Sequence, residues 1–161
     1  MNIKINILRT ILVILLVGIF YIIFGFSNQN AEQSGSISRK ITVNITKNIK
    51  SIQELEETKK EEMLGKIEHI IRKLAHFSLY TVVGILLMGL MSTYNIKKSN
   101  RICLSFAIGL LYAVSDEIHQ SFIPGRGPAV GDVLIDSCGV IAGIVIVITL
   151  IKIYKKMLEK N

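Results

Sequence analysis

Acidic residues are scarce in this chain, and cysteine and proline are scarcer. Its 161 residues hold 12 Asp and Glu against 19 Lys and Arg, with two cysteines and two prolines. Cys103 and Cys138 both fall inside apolar runs, which argues against a disulfide or a zinc site and for small buried side chains. No H-E-x-x-H pattern, glycine-rich phosphate loop, internal repeat or low-complexity tract occurs. Both prolines lie in one stretch, "FIPGRGPAVGD" from Phe122 to Asp132, where with three glycines they forbid a continuing helix and favour a defined turn. Arg126 sits at its tip between Gly125 and Gly127, suited to gripping a phosphate or carboxylate bidentately.

Apolar length is what the chain has in abundance. Half of it is apolar, its net charge is +7 and its mean hydropathy is +0.50. High hydropathy with basic ends points to a membrane protein with lipid partners rather than a nucleic-acid binder. The length suits a single domain, 1–161. Four segments, 8–26, 74–96, 102–123 and 133–153, are apolar enough to cross. About 20 helical residues span the ~30 Å hydrocarbon core. The fold class expected is therefore all-α, an integral membrane protein with four transmembrane helices. The first segment is too long for a signal peptide, and "GFSNQNAEQS" after it lacks a small-x-small cleavage site, so an uncleaved anchor is expected.

Orientation rests on the short loops. "NIKKSNR" and the tail "KIYKKMLEKN" are basic, whereas 116–132 holds only Arg126, so both termini are expected in the cytoplasm. The long outer segment 34–73 carries isoleucines at helical spacing, at 37, 41, 45, 49 and 52. A second stripe follows at Met63, Ile67, Ile70, Ile71 and Leu74. Two amphipathic helices on the outer membrane surface fit this pattern, and a helical pair packed on its own partner fits it equally.

Polar residues interrupt the apolar segments at one level. Fourteen uncharged residues, Ile102 to Ser115, lead into Asp116, Glu117, His119 and Gln120. At ~1.5 Å per residue, Asp116 and Glu117 lie roughly 21–23 Å from the inner boundary, and Asp136 and Tyr80 about as deep. His119, Asp132 and His76 fall somewhat nearer the outer surface. Arg72, His76 and Tyr80 share a helix face by their i, i+4, i+8 spacing, as do Asp116, His119 and Gln120. Asp132, Asp136, Gly139 and Gly143 form a third stripe, whose glycines let a neighbouring helix approach closely. Carboxylates facing lipid are costly, so the stripes are expected to turn inward and wall a polar pocket open to the outer face.

Four uses of that pocket stay open. Ion pairs such as Asp116 with Arg72 would only hold helices in register. The histidines and carboxylates offer donors that a divalent metal accepts, although no other cofactor is expected. His119 with Asp116 or Glu117 would make a general base and its orienting carboxylate, but no nucleophile is evident beside them. Binding without turnover is the reading preferred, and transport is disfavoured because four short helices leave little room for alternating access.

"RKLAHFSLY" (72–80), "SDEIHQSFIPGRGPAVGDVLIDSCGVIAG" (115–143) and "FSNQNAEQS" (26–34) together resemble the VanZ-like family of bacterial membrane proteins. The resemblance covers the chain almost end to end. It implies a multi-pass envelope protein, since the family's founding member is linked to teicoplanin resistance, and it supplies no established reaction. By that similarity Arg72, Lys73, His76, Tyr80, Asp116, Glu117, His119, Gln120, Pro124, Arg126 and Asp132 fall on signature positions. Asp136 departs from the Asn expected there and adds a carboxylate to the pocket. The expected ligand is an anionic envelope lipid, a cell-wall precursor or a glycopeptide antibiotic. Asp116, Glu117 and His119 would be the acid–base residues if the pocket catalyses, and Arg72, Lys73, His76, Tyr80, Gln120, Arg126, Asp132 and Asp136 the ligand-binding set.

Overall fold

The computed structural model describes residues 3–127 and 129–159, without the side chains of 31–33. Six helices follow one another: α1 (Ile3–Ser27), α2 (Ala31–Thr46), α3 (Lys50–Gln53), α4 (Glu57–Ser92), α5 (Lys98–Gln120) and α6 (Val130–Leu158). No strand occurs among the described residues. Helices α1, α4, α5 and α6 are each long and apolar enough to cross a membrane.

Their bounds differ from the expected ones in an informative way. The predicted span beginning at Leu74 is the second half of α4, whose 36 residues run roughly 54 Å at ~1.5 Å per residue. That is well beyond the ~30 Å core, so the predicted amphipathic stripe from Met63 is the front of the same helix and not a separate surface helix. No proline interrupts it, and Gly65, the one glycine of its front half, is tolerated. At its other end α4 stops at Ser92 rather than near Ile96. Helix α5 stops at Gln120, short of Ile123, because Pro124 disfavours helical backbone at the residue before it.

Packing centres on α4 and α6. Tyr80, Val83, Leu87 and Met88 of α4 meet Val140 and Ile144 of α6, with Ala113 of α5 and Ile23 of α1 completing the core. In lipid no hydrophobic force drives helices together, so close packing has to do so. Glycines make it close. A Cβ on Gly84 would strike the Val140 carbonyl, and one on Gly139 would lie 2.5 Å from the Phe77 carbonyl oxygen. Gly143 faces the backbone of Thr81 and Ile85 in the same way. Val140 also fills the space beside Gly109 of α5, with both methyls 2.8 Å from where a Cβ would be.

Helix α1 is peripheral, with only Ile23 and Ser27 buried. Arg9 ties one end of it to the turn after α4, donating to the Thr93 carbonyl at 2.8 Å and lying 4.0 Å over the Tyr94 ring. Helix α2 packs on the front half of α4 and is clamped there by Arg39, which reaches Glu61 and Glu68 at 2.6 and 2.9 Å. Those carboxylates raise the Arg39 pKa, chiefly through the hydrogen bond to Glu61. The buried face of α2 is Ser38, Thr42 and Thr46, while Ile37, Ile41 and Ile45 remain exposed. Ser38 and Thr46 donate back to the carbonyls four residues earlier, at 2.8 Å, which satisfies their hydroxyls, whereas the buried Thr42 hydroxyl has no partner among the described residues.

One expectation is overturned outright. Cys103 and Cys138 are exposed, not buried. Cys138 lies between buried Ser137 and Gly139 but points off the face that meets α4, toward the apolar outer surface of the bundle.

Candidate functional site

The polar residues gather where α4, α5 and α6 converge, at the end of the bundle that carries α2. Asp116 and Asp136 are 5% and 3% exposed, and Glu117 and Gln120 are also buried. Buried carboxylates need partners, and most of these have them. Asp116 Oδ2 accepts from Tyr80 Oη at 3.3 Å and from Gln120 Nε2 at 3.1 Å. Gln120 donates in turn to Ser27 Oγ of α1 at 3.2 Å. Glu117 Oε1 accepts the Ala129 amide at 2.5 Å, tying α5 to the start of α6. Lys73 pairs with Asp132 across the α4–α6 seam. His76 Nδ1 stands 3.8 Å from Asp136 Oδ1, and that oxygen has no hydrogen-bond partner among the described residues.

Above this layer opens a cavity of about 240 Å³. It is lined by His69, Arg72, Lys73 and His76 of α4, Gln120 of α5, Asp132 and Asp136 of α6, and the loop between α5 and α6. The loop turns at Gly125, whose φ of 77° is left-handed and suits only glycine cheaply. That turn folds Arg126 back over the cavity, where it donates to the Ser27 carbonyl at 3.5 Å, instead of leaving it at an exposed tip. Burial lowers the Arg126 pKa, and the neighbouring Arg72 lowers it further. A second, apolar cavity of about 110 Å³ adjoins the first, between α2 and α4. Phe26, Ile37, Ile41, Ile71 and Leu79 give it its apolar wall, and Arg72, His76 and Arg126 line both cavities.

Most of the sequence-expected residues come together. Arg72, Lys73, His76, Gln120, Arg126, Asp132 and Asp136 line the polar cavity, while Asp116 and Tyr80 lie just beneath it and Glu117 braces its loop. His119 does not join them. Its ring stacks on Phe24 of α1 at 4.7 Å and its Nε2 has no hydrogen-bond partner among the described residues. At about 100° per residue, Gln120 is turned roughly 40° one way from Asp116 and His119 roughly 60° the other, toward α1. The expected pairing of His119 with Asp116 or Glu117 is therefore absent. So is the pair of Asp116 with Arg72, since neither Arg72 nor Arg126 has a carboxylate within ion-pair distance among the described residues.

Three participants went unread in the sequence. His69 lines the cavity three residues before Arg72 and seven before His76, so the helical stripe already contained it. Ser27 and the Ala129 amide carried no such signal, because a lone serine at a segment end and a loop amide have no pattern.

Four apolar helices around a buried polar layer make this a multi-pass α-helical membrane protein. The family model described as VanZ/LLP1 matches residues 12–152, and the chain belongs to that family. No curated protein and no solved structure matches it.

Proposed function

We propose that the protein binds an anionic amphiphile of the cell envelope, with the head group in the polar cavity and the chain in the apolar groove beside it. The observation that carries this is the pair Arg72 and Arg126. Both guanidinium groups line both cavities, Arg72 Nε is buried without a partner among the described residues, and neither arginine meets a carboxylate. Both arginines are half-buried without a carboxylate partner, and a phosphate or carboxylate head group supplies the bidentate acceptor they lack. Ile37, Ile41, Ile71 and Leu79 then receive the hydrocarbon chain. The basic turn with Lys97, Lys98 and Arg101 lies at the opposite end of α4 and α5 from the cavity. By the short-loop charge rule that end is cytoplasmic, so the cavity opens outward and both termini are inside.

An acid–base enzyme built on His119 has less support, because His119 stands away from the carboxylates. A phospholipid, a lipid-linked wall precursor and an acylated glycopeptide such as teicoplanin share the required chemistry, an anionic head on an apolar tail. Mass spectrometry of lipid co-purified in mild detergent tests the proposal, comparing the wild type with Arg72→Ala/Arg126→Ala. Each lost charge-assisted contact is worth ~1.5–3 kcal/mol, so retention of an anionic lipid is expected to fall at least about tenfold while zwitterionic background stays constant. Equal retention in both proteins contradicts the proposal. Growth at graded teicoplanin in a sensitive host then asks whether the antibiotic is a ligand: protection by wild type and not by the variant is the result expected if it is.

A further inference from the structure

At the floor of the cavity, one side chain from each of the three central helices converges on a common point. His76 of α4, Asp116 of α5 and Asp136 of α6 bring a nitrogen and two carboxylate oxygens within 4.8 Å of one another. We infer that this trio is a binding site for a divalent transition-metal cation such as Zn²⁺ or Mn²⁺. The site stands on these three side chains and does not require the amphiphile proposed for the cavity.

Three independent features support it. The first is an orphan acceptor: Asp136 is 3% exposed, and its Oδ1, the atom facing His76, has no hydrogen-bond partner among the described residues. The second is spacing. Donors held ~2.1 Å from a tetrahedral metal lie ~3.4 Å apart, and His76 Nδ1 and Asp136 Oδ1 are 3.8 Å apart. The third is support around the ligands. Tyr80 and Gln120 both donate to Asp116 Oδ2, which fixes the orientation of that carboxylate.

Charge makes the same point. Arg72, Lys73 and Arg126 are three cations against the four carboxylates Asp116, Glu117, Asp132 and Asp136, and Lys73 is already engaged by Asp132. Asp116 and Asp136 thus face each other across His76, in a layer where repulsion between carboxylates is poorly screened. A dication bound between them would stabilise both carboxylates as anions. The donor set of one imidazole and two carboxylates suits Zn²⁺ or Mn²⁺, whereas Ca²⁺ takes six to eight oxygens. Three protein ligands also leave a coordination position open for water or a ligand.

The test uses the full chain in detergent, stripped with chelator and titrated with Zn²⁺ or Mn²⁺ alone, with bound metal counted by elemental analysis after desalting. Wild type should retain about one equivalent per chain, and loss of one ligand should weaken binding by about 10–100-fold or more. Asp136→Asn, which keeps the shape of the side chain, and His76→Ala are expected to lose the metal, while His69→Ala at the cavity rim keeps it. Metal should also raise the unfolding temperature of wild type and not of Asp136→Asn, with folding of each variant verified by size-exclusion chromatography. Two results overturn the site: no stoichiometric metal in wild type, or the same affinity in Asp136→Asn. Loss in His69→Ala with retention in His76→Ala would overturn it too, by locating the metal at the rim.

Discussion

Tyr80 is fully buried, and its hydroxyl reaches Asp116 as its hydrogen-bond partner. Deleting that hydroxyl leaves the buried carboxylate with one donor fewer. Tyr80→Phe is expected to cost about 1–2 kcal/mol in a reversible unfolding assay in detergent. Combined with Asp116→Asn the two losses should couple, because they share one bond. Asp116→Asn and His119→Ala should couple less than Tyr80→Phe and Asp116→Asn do, since the imidazole makes no bond to the carboxylate. Equally strong coupling between Asp116 and His119 would mean that the imidazole reaches the carboxylate after all. Helical spacing made Arg72, His76 and Asp136 legible as members of one layer, because depth follows from counting residues. It could not place His119, whose helix end is bordered by both the polar layer and α1. Which neighbour wins there depends on Phe24, a residue of another helix.

Helix α4 is one element with two environments. Its second half is held against α6 by reciprocal close approach, Gly84 under Val140 and Gly139 and Gly143 under Phe77 and Thr81. A methyl at Gly143 would collide with the Thr81 carbonyl and the Ile85 amide, backbone atoms that cannot turn aside. Gly143→Ala is therefore expected to destabilise by about 1–3 kcal/mol or more. Gly65, in the front half of α4, faces open space, with no neighbouring atom within 4 Å of where a methyl would stand. Gly65→Ala should therefore be neutral or stabilise by about 0.5–1 kcal/mol. Thermal unfolding of the two variants checks both signs. The small-residue stripe on α6 was readable from the sequence, while its partner Gly84 was not singled out. The continuity of α4 was missed for a related reason: hydropathy marks where a helix enters lipid, not where it begins. Helix α2 separates the two readings its periodicity left open, because its apolar stripe stays exposed, as on a membrane surface, and its Ser/Thr face packs on α4.

At the scale of the whole molecule, the bundle is asymmetric end to end. One end holds Arg72, Arg126, the carboxylates of the polar layer and the α2–α4 groove, and the other holds Lys98, Arg101, Lys152 and Lys155 around a cavity of about 200 Å³. Those lysines and Arg101 fit a cytoplasmic surface rich in anionic lipid. Reporter fusions after Asn95 and at Asn161 should therefore read cytoplasmic and one near Lys60 external, and an external signal at Asn161 would reverse the topology. One anionic amphiphile is proposed to occupy both cavities at once. The most direct test is photo-crosslinking with an anionic phospholipid carrying a diazirine on its acyl chain, followed by peptide mapping. The expected labels fall on Ile37, Ile41, Ile71 and Leu79, and disappear in Arg72→Ala/Arg126→Ala. Labels spread over the lipid-facing sides of α1 and α5, unchanged by those substitutions, would contradict it.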